Sequence, residues 1–372
     1  MTSRLFSPIT MRGLEVPNRI VVAPMCQYSA HEGLPNDWHL MHLGQFAVSG
    51  TGLVFVEATG VEAEGRITPG CVGLYNDAQQ EMFSRIVRFF RDYGSAKIGM
   101  QLAHAGRKAS ADVPWRGGKP LSPSDGGWQT VAPSAIPYGD GWHTPEAFGD
   151  NSLARVRTAF VDATRRARDV GFDAIELHSA HGYLLHQFLS PISNARTDNY
   201  GGSLADRMRF PLEVFDAVRA DWPEDRPLGV RFSATDWIDG GWNLEDALAY
   251  CEALKAHGCD FFDVSSGGLA PAQQIASAPG YQTRFAAEVK RATDVTTMAV
   301  GRITHAVQAE TILQSDQADM IALARGITYD PRWPWHAAKE LGDDAAFPAQ
   351  YARSHPSMQG EPIPGNPPVP KS

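Results

Sequence analysis

The stretch SLARVRTAFVDATRRARDVG–FDAIELHSA, residues 152–180, joins two patterns at one glycine. Up to Gly171 the apolar residues recur at helical spacing, and the run that follows is almost continuously apolar. A strand buried on both faces reads that way, as strands of parallel sheets do. The same pair of patterns recurs along the chain. Apolar runs stand at 19–25 (RIVVAPM), 52–58 (GLVFVEA), 97–104 (KIGMQLAH), 172–180, 228–234 (LGVRFSA), 261–266 (FFDVSS), 296–301 (TTMAVG) and 320–326 (MIALARG). Helical patterns stand between them. In residues 77–94, Met82, Phe83, Ile86, Val87, Phe90 and Tyr93 share one face,. Asp77 with Gln80 resembles a capping box, and Gly94 sits where a C-terminal cap belongs. NLEDALAYCEALKAHG and THAVQAETILQ repeat the pattern.

Eight strand–helix units in series point to an α/β fold, a closed (β/α)8 TIM barrel, in preference to an open doubly wound sheet. An open dinucleotide-binding sheet calls for a glycine-rich turn after its first strand, and here the first run ends in Pro24-Met25-Cys26,. Long insertions follow the third run (109–150) and the fourth (181–202). In a barrel they lie over the C-terminal face, where active sites are built. A single domain over residues 1–355 is expected, followed by a Pro-rich tail, 356–372.

Composition narrows the function. The 372 residues are 43% hydrophobic and 20% charged, which excludes disorder and coiled coil as the main state. The formal charge is 33 − 42 = −9. A protein this acidic, with no basic block, is not expected to bind nucleic acid or an anionic membrane. The four cysteines include no Cys-x-x-Cys pair, so no disulfide framework, zinc ribbon or iron–sulfur run is expected,. The first residues lack the apolar stretch of a signal peptide, and no apolar run nears the ~20 residues of a membrane span. A soluble, cytoplasmic protein is the expectation.

Polar residues gather at the ends of the apolar runs. Cys26 and Tyr28 follow the first, Gln101, His104 and Lys108 the third, and His178, His181 and Tyr183 the fourth. Arg231 lies within the fifth and Arg325 at the eighth. Two imidazoles and a phenol are suited to binding a carbonyl oxygen and protonating its neighbour. A zinc pair and a satisfied core histidine are the rival readings. No third zinc ligand is legible, so no metal is expected. Arg325 beside Gly301-Arg302 fits the phosphate site that barrels build after strands seven and eight, and a surface ion pair is the alternative. Buried Arg231 needs an anion, either a ligand or a carboxylate from another strand. Cys26 by itself reads as a core cysteine.

These residues sit in longer matches: PNRIVVAPMCQYS, GLVFVEATGVEAEGRITPG, QLAHAGRKAS, IELHSAHGYLLHQFLSPISNARTDNYGGSLADRMRF and DWPEDRPLGVRFSATD. With them the chain resembles the Old Yellow Enzyme family of FMN-dependent ene-reductases over nearly its whole length. It is most similar to the bacterial branch of xenobiotic reductases and the thermophilic-like group. The resemblance implies FMN and NADPH (or NADH) as cofactors. It places Pro24, Met25, Cys26, Ala58, Gln101, Arg231, Ala324 and Arg325 around the flavin, with Arg231 beside N1 and the C2 carbonyl and Arg325 at the phosphate. It implies His178 and His181 as carbonyl binders, Tyr183 as proton donor, and Cys26 and Tyr28 as active-site thiol and phenol. Lys108 falls near the flavin without an assigned role. The branch usually has Gly-Arg where Ala324-Arg325 stands, and Arg302 adds a second cation. The implied reaction is NAD(P)H-dependent reduction of an electrophilic alkene, the activated C=C bond of an α,β-unsaturated carbonyl compound. Nitro compounds, nitrate esters or quinones are alternative acceptors, and a flavin-free lyase or metal hydrolase is a distant one. Arg353 in QYAR matches an arginine that crosses a dimer interface in part of this branch, which implies a homodimer or homotetramer.

Overall fold

The structure, a computed structural model, describes residues 3–355; the Pro-rich tail expected at 356–372 lies outside the described residues. A short antiparallel hairpin, β1 (Ile9–Met11) and β2 (Leu14–Val16), precedes the barrel. The eight apolar runs then form eight parallel strands: β3 (Ile20–Val22), β4 (Leu53–Gly60), β5 (Lys97–Ala103), β8 (Ala174–Ser179), β9 (Leu228–Ser233), β10 (Phe261–Ser265), β11 (Thr296–Ala299) and β12 (Met320–Leu323). Each pairs with the next and β12 returns to β3, closing the barrel. The remaining pair, β6 (Val131–Ala132) and β7 (Glu146–Ala147), lies within the insertion after β5.

Helices α1 (Asp37–Ala47), α2 (Asp77–Tyr93), α3 (Asp150–Val170), α4 (Leu184–Leu189), α5 (Leu204–Asp221), α6 (Leu244–Ala256), α7 (Thr283–Thr293), α8 (Ala306–Gln314), α9 (Arg325–Tyr329) and α10 (Trp333–Leu341) fill the connections. Their apolar faces and the outward strand residues make the larger core. A second core fills the barrel interior with Val21, Leu53, Phe55, Phe261, Met298 and Met320, and Met11 and Val16 of the hairpin join it. The interior is too narrow for large side chains on every strand. Phe55 and Phe261 meet there with ring centroids 5.8 Å apart. A Cβ on Gly99 would stand 2.4 Å from the Phe55 ring, and one on Gly229 would stand 2.4 Å from Phe261. Each buried ring contributes about 1.5–3 kcal/mol, and the glycines on the neighbouring strands make room for both.

The cap of α2 lies one residue earlier than the sequence suggests. Asn76 is extended, and its side chain accepts the Gln79 N–H while the Gln79 side chain accepts the Asn76 N–H. Asp77 is already helical and pairs outward with Arg166. Gly94 is the C-cap, as expected. Phe83, Ile86, Val87 and Phe90 are buried, but Tyr93 is 54% exposed, because the final turn leaves the core and Tyr93 leans only on Phe89.

Replacing Asn76 with Ala is expected to cost about 1 kcal/mol, as for other N-cap deletions. Gln80→Ala is expected to cost under about 0.5 kcal/mol, because Gln80 caps nothing and is a solvent-side partner of Arg166,. Urea unfolding of the two variants separates the two cap assignments.

Candidate active site

The barrel brings the C-terminal strand ends into one mouth. Strand register sets the first layer. His178 on β8 stands opposite Arg231 on β9, and Arg231 stands opposite Asp263 on β10. On the other side Gln101 on β5 stands opposite Glu176 on β8 and donates to it at 2.7 Å. Arg231 Nε lies 3.2 Å from Asp263 Oδ2. The anion that Arg231 requires is therefore in the first place a carboxylate from the next strand. Glu176 is fully buried and Asp263 nearly so. Burial, followed by Asp263, pushes the Glu176 carboxyl up to about 8, against the pull of Arg231 and Gln101. Asp263 touches the guanidinium and carries the negative charge, so Glu176 is the carboxyl that holds a proton near neutrality.

His178 and His181 lie next above this layer. His178 Nδ1 accepts the Ala180 N–H, so its Nε2 carries the hydrogen and points 3.5 Å from His181 Nδ1. His181 Nε2 is 2.7 Å from Ser265 Oγ. Burial and then Arg231 hold both imidazoles well below their usual pKa, so both are neutral. The Tyr183 ring packs edge-on to His178 at 4.9 Å. Burial pushes its phenol well above the usual range, and Cys26 and Tyr28 add to the shift. The group is thus two neutral N–H donors beside a firmly protonated phenol.

The backbone that presents them is strained and braced. His181 is left-handed (φ 57°), and its N–H is held by Ser233 Oγ at 3.0 Å. Next to it, a Cβ on Gly182 would stand 2.3 Å from the Gly268 carbonyl oxygen. Lys108 ties the two loops together, donating to His181 O at 2.8 Å and Gly268 O at 2.9 Å. Its ammonium lies over the rings of Tyr138 and Tyr183 at 4.7 and 4.9 Å. Burial, then Arg107, lowers it to about 7. Tyr138 comes from the insertion after β5, as does Trp115, which meets the Tyr28 ring at 5.7 Å. Residues 109–150 therefore reach over the mouth, as expected.

Arg231, Gly301, Arg302, Ala324 and Arg325 line one cavity of about 420 Å³, with Ser265 and Gln282. Arg231 marks its buried end, while Arg302 and Arg325 are exposed. Arg302 donates to Ser277 O at 3.1 Å. A guanidinium at the closed end and two at the open end fit an elongated ligand with a polar heterocycle and an anionic tail. Arg231 Nε faces Asp263, which fixes the guanidinium at the closed end of the cavity. FMN has that form. Pro24, Met25 and Cys26 follow β3, and Met25 Sδ accepts from Thr328 of α9 at 3.2 Å. Ala58 stands where β4 shifts register between Val56 and Thr59, an irregularity that re-aims side chains at a barrel rim. Gln101 is taken up by Glu176. His104 is bound to Glu62 at 2.9 Å, in a network with Arg155, and belongs to the scaffold. Arg353 is exposed on a 3-10 turn (Ala349–Ser354) that packs on α10 through Tyr351 and Trp335.

Sequence reasoning missed Glu176, Asp263, Ser265 and Tyr138. The first two were open to the argument applied to Arg231, a charge inside an apolar strand run. Ser265 and Tyr138 carry no such signal.

A barrel with this mouth is that of a flavin-dependent oxidoreductase. Residues 4–344 match the NADH:flavin oxidoreductase / NADH oxidase family, and the chain belongs to that family, as a member of the Old Yellow Enzyme group. It is an enzyme whose cofactors are FMN and NAD(P)H. An NADPH dehydrogenase of Geobacillus sp. (strain WCH70) is 43% identical over 355 residues, 95% of this chain and 99% of that one. An NADH:flavin oxidoreductase of Gibberella zeae is 45% identical over 359 residues, 92% of this chain and 86% of that one. The structure of morphinone reductase in complex with tetrahydroNAD superimposes with a TM-score of 0.75 at 26% identity, covering 95% and 93% of the two chains. Among the described residues no helix is long and apolar enough to cross a membrane.

The native state holds a proton on Glu176 that the unfolded chain releases near pH 4.5. Stability from this group is therefore lost as pH rises from about 4.5 to about 8,. Glu176→Gln is expected to flatten that fall, read as the thermal midpoint against pH. A slope unchanged by the substitution would place the proton elsewhere.

Proposed function

We propose that the enzyme reduces the activated C=C bond of α,β-unsaturated carbonyl compounds at the expense of NAD(P)H. The observation that carries this reading is the group of two neutral imidazoles and one protonated phenol beside the cationic cavity. Pro24, Met25, Cys26, Ala58, Gln101 and Arg231 would hold the FMN ring, and Gly301, Arg302, Ala324 and Arg325 its phosphate end. FMN would supply the hydride chemistry that links NAD(P)H to the substrate.

His178 and His181 donate N–H groups to the carbonyl oxygen and polarise the alkene. They are too weakly basic in this setting to be imidazolium acids, so they bind the oxygen without protonating it. Tyr183 gives its proton to the α-carbon. Its raised pKa suits an acid that acts only when charge has built up on that carbon, and it keeps the phenol intact at rest. The Arg231 guanidinium is a fixed positive charge at the buried end of the cavity, where negative charge gathers on reduction. Cys26 and Tyr28 lie near enough to Tyr183 to raise its pKa further. Lys108 holds the His181 backbone in place.

Tyr183→Phe is expected to leave reduction by NAD(P)H intact and to slow anaerobic reoxidation by an enone by about 10²–10⁴-fold. Equal slowing of both steps would make Tyr183 a nicotinamide-positioning residue. Faster reoxidation by nitro compounds or quinones than by any enone would move the acceptor class. Cys26→Ala is expected to retain FMN and some turnover while shifting the flavin potential by about 30 mV, equivalent to ~1.4 kcal/mol for two electrons.

Arg353 is exposed and projects from an ordered turn, which supports a role at a neighbouring subunit in a homodimer or homotetramer. Arg353→Ala is then expected to raise KM for the acceptor and leave FMN content unchanged. A monomer by sedimentation would remove that role. The acidic surface and the four free thiols support a reducing, cytoplasmic setting.

A further inference from the structure

Behind the Cys26 side of the mouth, three residues converge. Cys26 follows β3, Glu57 lies at the register shift of β4, and Cys71 lies in the loop after β4. One thiol sulfur, one carboxylate oxygen and the second sulfur all lie within 4.8 Å of one another. Cys71 is fully buried, Glu57 is 4% exposed, and Cys26 is half-buried. The apposition is built by the backbone. The Ala30 N–H donates to Gly70 O at 2.8 Å, and Gly70 packs on the Tyr28 main chain so closely that a Cβ there would stand 2.5 Å from Tyr28 O.

Glu57 is oriented from outside the cluster. Its Oε2 accepts the Gln27 N–H at 3.0 Å. His39 Nδ1 accepts the Asn36 N–H in the cap of α1, so its Nε2 carries the hydrogen and faces Glu57 Oε1 at 3.5 Å. That Nε2 is buried and has no aligned hydrogen-bond partner. A histidine donating to a ligand carboxylate is a common outer layer of zinc sites. Contact with Cys71 and burial push the Cys26 thiol up, whereas Cys71, despite its burial, is brought down by Cys26 and Thr68.

We propose that Cys26, Cys71 and Glu57 form an inhibitory site for one thiophilic divalent cation, of the zinc or cadmium type. Metal–sulfur bonds of about 2.3 Å and metal–oxygen bonds of about 2.0–2.2 Å put tetrahedral ligand atoms about 3.5–3.8 Å apart. Closing the cluster onto one ion asks each side chain to move by about 1 Å or less. Water takes the fourth position. The ion forms two metal–thiolate bonds and one metal–carboxylate bond, and the two thiol protons leave to solvent. Glu57 gives up a third if it starts protonated. The product carries one net negative charge and fixes Cys26 as a bound thiolate beside Tyr28 and the mouth. Binding of the ion is independent of the identity of the acceptor.

The test is anaerobic titration of the FMN-loaded enzyme with cadmium nitrate and zinc chloride, with a phosphine reductant to keep thiols free. One cadmium per chain is expected, with a thiolate-to-cadmium absorbance, proton release, affinity that rises with pH, and loss of NAD(P)H oxidation that a chelator reverses. Cys71→Ser and Cys71→Ala are both expected to abolish the absorbance and the inhibition while retaining FMN, and Cys251→Ser to change neither. No thiolate absorbance at saturating cadmium would overturn the proposal. So would a signal that survives in both Cys71 variants or is lost in Cys251→Ser, or turnover unchanged with the ion bound. The absorbance is read without any substrate, so a negative result here is distinguishable from an error in the proposed alkene reduction.

Discussion

One guanidinium and two carboxylates share the dry interior of the barrel. Arg231, Asp263 and Glu176 stand on three consecutive strands, and none has enough exposure to be hydrated. Three full charges there would be costly, because desolvation is repaid only by close pairing. Asp263 takes the guanidinium, Gln101 takes one oxygen of Glu176, and Glu176 keeps a proton. The arrangement leaves a buried positive charge next to His178 and His181, and that charge, with burial, keeps both rings neutral. The same guanidinium closes the inner end of the cationic cavity. The histidine pair and the cationic cavity thus rest on one set of strand registers.

A second constraint is geometric. The histidine loop must turn sharply straight after β8 to face across the mouth. It does so through a left-handed His181 and a glycine pressed on the loop after β10. A left-handed non-glycine residue is uncommon and persists where its surroundings over-determine it. Ser233 at the end of β9 and Lys108 in the turn after β5 supply that bracing. Lys108 is best understood as a half-buried strut whose charge is weakened by its surroundings, although its place near the mouth first suggests chemistry.

The eight strands and their order around the barrel were legible in the sequence because a strand buried on both faces leaves an unbroken apolar run, and closure needs only that the runs recur. His178, His181, Tyr183, Arg231 and Arg325 were legible as candidates as well, since a polar residue at the end of such a run must answer to something. Details within elements were less so. Asn76 and Asp77 are both good cap residues, and only the backbone angles decide which one lies outside the helix. Tyr93 keeps the helical period but outlasts the core it would pack on.

What tertiary structure alone decided is which side chains meet across strands. The partner of Arg231 lies 32 residues on, and the partner of Cys26 lies 45 residues on. Local periodicity holds no information about either pairing, because register between strands is set by packing around the whole barrel. The protonation of Glu176, the neutrality of the two histidines and the bracing by Lys108 follow from those pairings. The sequence by itself determined the barrel and which residues reach its mouth, since burial acts on each run separately. The charges those residues carry depend on distances between strands, and only the closed barrel sets them.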